Sequence, residues 1–521
     1  MKNGKSLYKS LAALLAAIVC IGPFASCMTP TEEASEKIPV SLPTYADDRE
    51  LDLLAYVNPT NGDYTFNNIP MNIGTDFRTV ERFKEYMDAG MNIAFARYDS
   101  SLPADVTAET WPQSDTKLFC DKAYEAGLRR ILISDNYLTN FITDNSTKLI
   151  GDVFATEAEL DAAIAARLEI YKDTPGFYGV ILRDEPTWDY FDNYALVHRS
   201  LKRVMPEIYI YNNLHYCYSS INIYTDVEAW KEAHEGKEPT IGEAYYHYLC
   251  QFLEKTGAEN LAVDIYPFKD VAEERIGNYF VNLQMLRNAC STYGAEMTFT
   301  SQSICYTNGT TLSNRIVTKN DLWLQMNAIL GLGATGMQYY TYMPHPMTST
   351  ENSNFGNFLD KYGNKTSVYY DAKSVNEAVK KFDHILLHYE YQGSRFYLNQ
   401  TLQNAGATSY TGSSRFGIYE QAEYTALTSL TMTNDAIYST ELKDEENGLY
   451  MYMLMNPIDV LYSANSVMSY TENTFTAEFA GYDYVAEFDC GELTYVKLDN
   501  GKYTKTLSSG YGVYLVPLKI A

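Results

Sequence analysis

Positive charge is what this chain of 521 residues has least of: 40 Lys and Arg stand against 66 Asp and Glu, a net charge of −26. A surface of that sign repels phosphate backbones, so nucleic acid is not expected as a partner. Cysteine is sparse and unpaired in spacing. Cys120, Cys217, Cys250, Cys290, Cys305 and Cys490 are scattered singly with no CxxC among them. This speaks against a thiolate zinc site and makes them small buried residues, or at most one disulfide. No GxSxG is present, so a serine nucleophile elbow is not expected. "GLGATG" (331–336) satisfies GxGxxG but falls between a helix and the next strand, the reverse of the dinucleotide context, and reads as a helix stop. His384 and His388 in "HILLH" sit one helical turn apart but lack the Glu of HExxH, so packing is the reading there. Neither a metal nor a cofactor is expected.

Long apolar runs are missing too. The most apolar stretch, "LAALLAAIVCIG", is about a dozen residues, short of the roughly 20 needed to span a bilayer. It follows Lys2, Lys5 and Lys9 and precedes "FASC", ending at Cys27. Basic start, apolar core and small residues before a Cys resemble a bacterial lipoprotein signal, with Phe24 where an aliphatic residue is usual. The resemblance implies removal of residues 1–27 and lipidation of Cys27. The lipid would be the only membrane contact, placing the chain at the cell envelope, on the outer membrane or cell surface. An ordinary secretory signal is the alternative. Residues 28–50 are polar and contain Pro, and are expected to be a flexible tether.

What the chain does have is aromatic residues, 14% of the total with 47 Tyr, and a repeating rhythm. Eight β-branched or aromatic runs begin at residues 53, 92, 129, 177, 208, 260, 296 and 335, each followed by a stretch of helical period. The first two helical stretches end in Gly90 and Gly127, and the eighth reads as "VNEAVKKFDHILLHY". Alternation repeated eight times predicts a (β/α)8 TIM barrel over 51–390. A doubly wound sheet would need a phosphate-binding turn after its first strand, and none is there. From 391 to 521 the pattern changes to short strands such as "GLYMYMLMNP" and "YGVYLVPLKI", which predict an all-β sandwich, structural or sugar-binding.

A barrel of this kind carries its site at the carboxyl ends of its strands. The polar residues expected there are Asn58, Asp99, Asp135 with Asn136, Arg183 to Glu185, Asn212, Asn213, His215, Asp264, Tyr266, Gln302, Tyr339, Tyr340 and Tyr342. Carboxylates and amides suit the hydroxyls of a carbohydrate, and Trp188 with the tyrosines suits its C–H faces. For each aromatic taken alone, packing is the plainer reading.

"GFYGVILRDEP" (176–186) is the most pointed stretch, because an apolar strand ends in Arg183, Asp184 and Glu185 before Pro186. A half-desolvated carboxyl beside another has its pKa pushed up, as a general acid requires. Glu185 is therefore expected as acid/base, with Asp184 orienting it or a substrate hydroxyl. Ion pairing with Arg183 or helix capping is the competing reading.

"GVILRDEP", "VDIYP" and "GMQYYTYMP" resemble the barrel glycoside hydrolases related to family 42 β-galactosidases, within the large retaining clan. In that clan the acid/base is the Glu of an Asn-Glu pair closing strand four. The resemblance implies that role for Glu185, with Asp184 in place of the Asn. The clan's nucleophile is a Glu ending strand seven, whereas this chain has Gln302. Three alternatives follow. Asp264, or second Asp135, is the partner carboxylate, inverting at about 6.5–9.5 Å from Glu185 or retaining at about 5 Å. Or Asp184 and Glu185 act together on an N-acetyl sugar. Or the chain binds glycans without cleaving them.

Overall fold

The computed structural model describes residues 38–46, 49–63, 65–66, 69–70, 73–217, 220–268, 275–308, 311–345, 354–405, 412–413, 417–457, 461–462 and 468–520. The leader, Cys27 and the first part of the expected tether lie outside these residues.

Each of the eight apolar runs contains a strand, and all of these strands pair in parallel. They are β1 (Asp52–Ala55), β2 (Ile93–Ala96), β3 (Arg130–Ser134), β4 (Phe177–Ile181), β5 (Tyr209–Tyr211, continued by Asn213–Leu214), β6 (Asn260–Val263), β7 (Glu296–Gln302) and β8 (Gly336–Tyr340). One sheet has the order β2-β3-β4-β5, the other β1-β8-β7-β6-β5, where the two pieces of β5 serve one sheet each. Asn212 sits at the break. Its carbonyl accepts from Ala262 N–H at 2.8 Å, and its side chain bonds Ile210 O and the Tyr194 hydroxyl. At the other edge, the Asn92 N–H donates to Leu53 O at 2.9 Å and the Asn58 side chain accepts from Phe95 N–H at 3.1 Å, linking β1 to β2. The register brings β4 so close to β5 that a Cβ at Gly179 would lie 1.9 Å from the Tyr209 carbonyl oxygen, so only glycine fits.

Helices follow the strands in turn: α1 (Val80–Asp88), α2 (Asp115–Ala126), α3 (Glu157–Leu168), α4 (Phe191–Val204), α5 (Ile241–Thr256), α6 (Arg275–Tyr293), α7 (Lys319–Gly331) and α8 (Ser367–Val379). Most start at a side-chain cap: Thr79, Ser114, Thr156, Thr240, Thr318 and Thr366, each worth about 1 kcal/mol. The last helix lies earlier than its apolar pattern indicated. Thr366 starts it, and beyond Val379 the chain turns at Phe382, whose ring stacks on Phe488 at 5.3 Å. "HILLH" consequently lies in a short separate turn, Asp383–Leu386, and just after it.

After β8 and α8 come antiparallel sheets. In chain order the strands are β9 (Glu390–Leu398), β10 (Leu427–Met432), β11 (Ala436–Asp444), β12 (Leu449–Met455), β13 (Asn473–Phe479), β14 (Tyr484–Asp489), β15 (Glu492–Lys497), β16 (Lys502–Leu507) and β17 (Gly512–Leu518). They form a six-stranded sheet, β9-β11-β12-β17-β14-β15, and a three-stranded one, β10-β13-β16. Phe475, Phe479, Tyr503 and Leu507 of the smaller sheet pack with Ile437, Tyr452, Leu454 and Leu515 of the larger, giving a sandwich-like pair.

The other face of the six-stranded sheet packs on α7, a helix buried from Asp321 to Gly331. A Cβ at Gly331 would lie 2.4 Å from the Met453 methyl, so glycine lets the helix approach the sheet. Met451, Met453, Phe488 and Tyr514 thereby join the same apolar core as β1 to β8. Val40, Leu42 and Tyr45, expected within the tether, also lie against this core: Leu42 N–H donates to the Tyr495 hydroxyl at 3.0 Å and the Tyr45 hydroxyl to Asp444 at 2.8 Å. Among the described residues, no helix is long and apolar enough to cross a membrane.

Candidate active site

The carboxyl ends of β1, β2, β4, β5, β6 and β8 bring one set of polar side chains together. Glu185 follows β4 with φ +46, in the left-handed region that a residue with a Cβ rarely adopts. Its N–H donates to Asn213 O at 3.0 Å. Its carboxyl lies within hydrogen-bonding reach of Asp264, just beyond β6, and 3.5 Å from the Nδ1 of His215. Two carboxyls can bond only when they hold a proton between them. Burial first, then the charge of Asp184, pushes Glu185 up to about 7, while burial and its two acidic neighbours push Asp264 well above the usual carboxylate range. The Tyr266 hydroxyl bonds Asp264 and works in the opposite sense. Asp264 is 7% exposed, whereas the Glu185 side chain keeps 32% of its surface, so the pair is reached from the Glu185 side.

Asp184 points the other way. Its Oδ1 accepts from the Tyr56 hydroxyl at 3.0 Å and the Asn213 amide at 3.1 Å, and its Oδ2 pairs with Arg97 Nη2 at 3.0 Å. Both oxygens are thus engaged, which holds the Asp184 carboxyl in place beside Glu185. Burial works against the Arg97 cation, but Asp184 more than offsets it, and the guanidinium also lies 5.0 Å from the Tyr56 ring centre and 5.1 Å from that of Tyr98. His215 is held below its ordinary value by burial. Tyr266 stacks on Tyr340 at 5.2 Å, and Tyr56 meets Tyr340 edge-on at 5.7 Å. Three buried polar atoms around Glu185 have no hydrogen-bond partner: Asp264 Oδ1, His215 Nδ1 and Arg97 Nη1. Native interiors leave few such atoms unmatched unless a ligand or water meets them.

Of the residues expected from sequence, Asp184, Glu185, Asn213, His215, Asp264, Tyr266 and Tyr340 are brought together. The others are not. Asp135 is fully buried, gripped twice by Arg167 at 2.8 Å and bonded by Tyr171, so it cannot serve as partner carboxylate. Asn136 is exposed at a helix start. The Gln302 amide is spent on the main chain, accepting from Phe268 N–H at 2.9 Å and donating toward Phe268 O and Ile304 O. Tyr342 packs on Tyr86 at 5.0 Å and is wholly buried, and Tyr339 bonds Asn376. Arg183 lies over the Tyr190 ring at 4.0 Å, and Trp188 donates to Asn222 O. Asp99 accepts from Asn61 N–H at 2.8 Å and burial pushes it up to about 6. Among the described residues, no group of three His, Cys, Asp or Glu side chains could hold a metal ion.

Tyr56 and Arg97 are the residues that the sequence reading missed. In both cases the choice fell two positions late, on Asn58 and Asp99. β1 ends at Ala55 and β2 at Ala96, so the side chains at the strand mouths are the next ones along. A lone Arg ending the apolar run "IAFAR" was the available signal.

The chain matches no protein-family model and no curated protein. Among solved structures it is similar to a family 39 glycoside hydrolase from the gut symbiont Bacteroides cellulosilyticus WH2, at 12% identity and a TM-score of 0.45, covering 90% of this chain and 81% of that one. It is also similar to a family 5 glycoside hydrolase from Bacteroides vulgatus (11%, TM-score 0.46, 90% and 89%) and to a glucosidase from Croceicoccus marinus (10%, TM-score 0.42, 90% and 95%). These likenesses are loose, and the functional reading rests on the site residues themselves.

Proposed function

We propose that the chain is a glycoside hydrolase that cleaves O-glycosidic bonds of an oligo- or polysaccharide, with Glu185 as general acid/base and Asp264 as its partner. The observation that carries this reading is the Glu185–Asp264 pair: two neighbouring carboxyls both raised by burial and by each other's charge, one of them solvent-reachable, ringed by tyrosines and unmatched polar atoms. A retaining pair stands about 5 Å apart, so this reading requires the two carboxyls, in contact in the free chain, to part when the sugar enters. For Glu185 to protonate the glycosidic oxygen as the C1–O bond breaks, the proton must stand on Glu185 and the charge on Asp264, the reverse of the preference in the free chain; Tyr266 favours that charge. Asp264 bonds C1. Glu185, now ionised, then takes a proton from water, which displaces Asp264.

The eight parallel strands and the Asn92–Leu53 link favour a closed (β/α)8 barrel as the frame. The family 42 likeness stays within this reading, as does lipid anchoring at Cys27 in the cell envelope, which labelled palmitate incorporation tests. The N-acetyl-sugar reading would need Asp184 to accept an acetamido N–H while its Oδ1 holds Tyr56 and Asn213 and its Oδ2 holds Arg97. Glycan binding without cleavage draws on the Gln302 position, where strand seven offers no carboxylate. Turnover of a panel of 4-nitrophenyl glycosides and polysaccharides decides between them. Glu185→Gln is expected to lower the rate at least about 10³-fold while leaving ligand affinity measurable. Affinity with no released reducing ends in the unaltered chain would overturn hydrolysis in favour of binding.

A further inference from the structure

We propose that Tyr248 is the positioning residue for Glu185, acting through a single hydroxyl that ties together the two strand ends bearing Glu185 and His215. This deepens the reading of Glu185 as acid/base and rests on it. Tyr248 lies on α5, fully buried, with its ring centre 5.0 Å from Phe191 and 5.3 Å from Tyr224. Its hydroxyl donates to the carbonyl of Pro186 and accepts the N–H of His215 at 3.4 Å. Both bonds go to main chain, so Tyr248 touches neither the Glu185 carboxyl nor the space a substrate would fill.

The bond matters because of the backbone between these points. Glu185 is left-handed at φ +46. A residue with a Cβ stays there only where its surroundings over-determine it. On one side the Glu185 N–H is held by Asn213 O at 3.0 Å; on the other, the following carbonyl is held by Tyr248. Release of that carbonyl lets φ relax toward negative values, which swings the Cα–Cβ bond and carries the carboxyl away from Asp264 and from His215 Nδ1 at 3.5 Å. The same hydroxyl fixes His215, so both groups facing each other across the site are set by one donor–acceptor bridge from behind. A ring without the hydroxyl fills the same space but holds neither strand end.

The test is Tyr248→Phe, with Tyr224→Phe as control. Tyr224 belongs to the same aromatic cluster, and its hydroxyl bonds Tyr216 O, away from the 185–186 turn. Infrared difference spectra following the protonated carboxyl stretch read the Glu185–Asp264 titration directly. Tyr248→Phe is expected to lower its midpoint by at least about one pH unit, as Glu185 moves toward water, whereas Tyr224→Phe leaves it in place. On 4-nitrophenyl glycosides, kcat falls about 10- to 100-fold with KM within about threefold. An unchanged midpoint in Tyr248→Phe overturns the proposal. If the unaltered chain cleaves no glycoside, the hydrolase reading falls while the infrared titration still decides the role of Tyr248. Should the variant not fold, hydrogen exchange in the unaltered chain decides. The His215 and Glu185 amides must exchange together and as slowly as that of Val263, and rapid exchange at His215 overturns the bridge.

Discussion

Asn213 holds both members of the acidic doublet: its carbonyl accepts the Glu185 N–H at 3.0 Å and its side-chain amide donates to Asp184 at 3.1 Å. Replacing the side chain leaves the first bond and removes the second. Asn213→Asp sets a third carboxylate against Asp184, so the proton on Glu185 is held more tightly and the alkaline limb of the kcat/KM profile moves to higher pH. Asn213→Ala, which adds no charge, leaves that limb closer to its place. A limb that moves down in Asn213→Asp would contradict the electrostatic account.

Stability should fall as pH rises through neutrality. Glu185 is raised to about 7 and Asp264 is raised well above its ordinary range, so the folded chain binds protons that the unfolded chain has already released above about pH 4. The stabilising contribution is complete below the unfolded values and is lost as pH climbs through the folded ones. Glu185→Gln removes one of the two groups. Calorimetry is expected to show the variant gaining on the unaltered chain at about pH 8 and matching it near pH 4. A variant that is relatively more stable in acid would reverse the sign and sink the shared-proton pair.

Removal of Arg97 leaves Asp184 without its cation. Tyr56 and Asn213 still donate to the carboxylate, and the pair is only partly buried, with the Arg97 side chain 18% exposed and that of Asp184 26%. Arg97→Met should therefore cost about 2 kcal/mol, below the cost of breaking a fully buried pair. Because the Arg97 charge also favours the ionised form of Glu185, its loss shifts the alkaline limb upward. Urea denaturation and a pH–rate profile on the same variant check both halves.

Restoring the acid that strand seven lacks should not create a nucleophile. Gln302 is fully buried, and its Nε2 donates to the carbonyls of Phe268 and Ile304. Gln302→Glu turns those donors into an acceptor facing acceptors, a loss of about 1–3 kcal/mol. The expected outcome is a lowered Tm with no gain in turnover; a faster enzyme would show that this position reaches the substrate.

Periodicity carried most of the strand and helix order, because strands buried on both faces read as apolar runs and the helices between them keep a polar side. Helix α8 was misplaced since its apolar spacing continues past Val379, whereas Phe382 turns away to meet Phe488. In the site, Glu185 and Asp264 were legible because buried carboxylates at strand ends are costly without a use. Asp135 carries the same signature for another reason: Arg167, 32 residues on, consumes it. No local pattern distinguishes those two cases. The donors behind the site, Tyr56 at the mouth of β1 and Tyr248 on α5, are ordinary tyrosines in a tyrosine-rich chain and become informative only through what they touch.

The seam between α7 and the antiparallel sheet has an experimental consequence. Gly331 rests against Met453, Asn327 exchanges bonds with Gly510 and Tyr514, and Asn320 reaches Ser509. A chain cut after residue 390 would leave the methionine-facing flank of that helix in water, so truncation would report on misfolding before it reported on ligand affinity. Any sugar recognition by the C-terminal sheets must be sought by single replacements on their outer surface, with the whole chain intact.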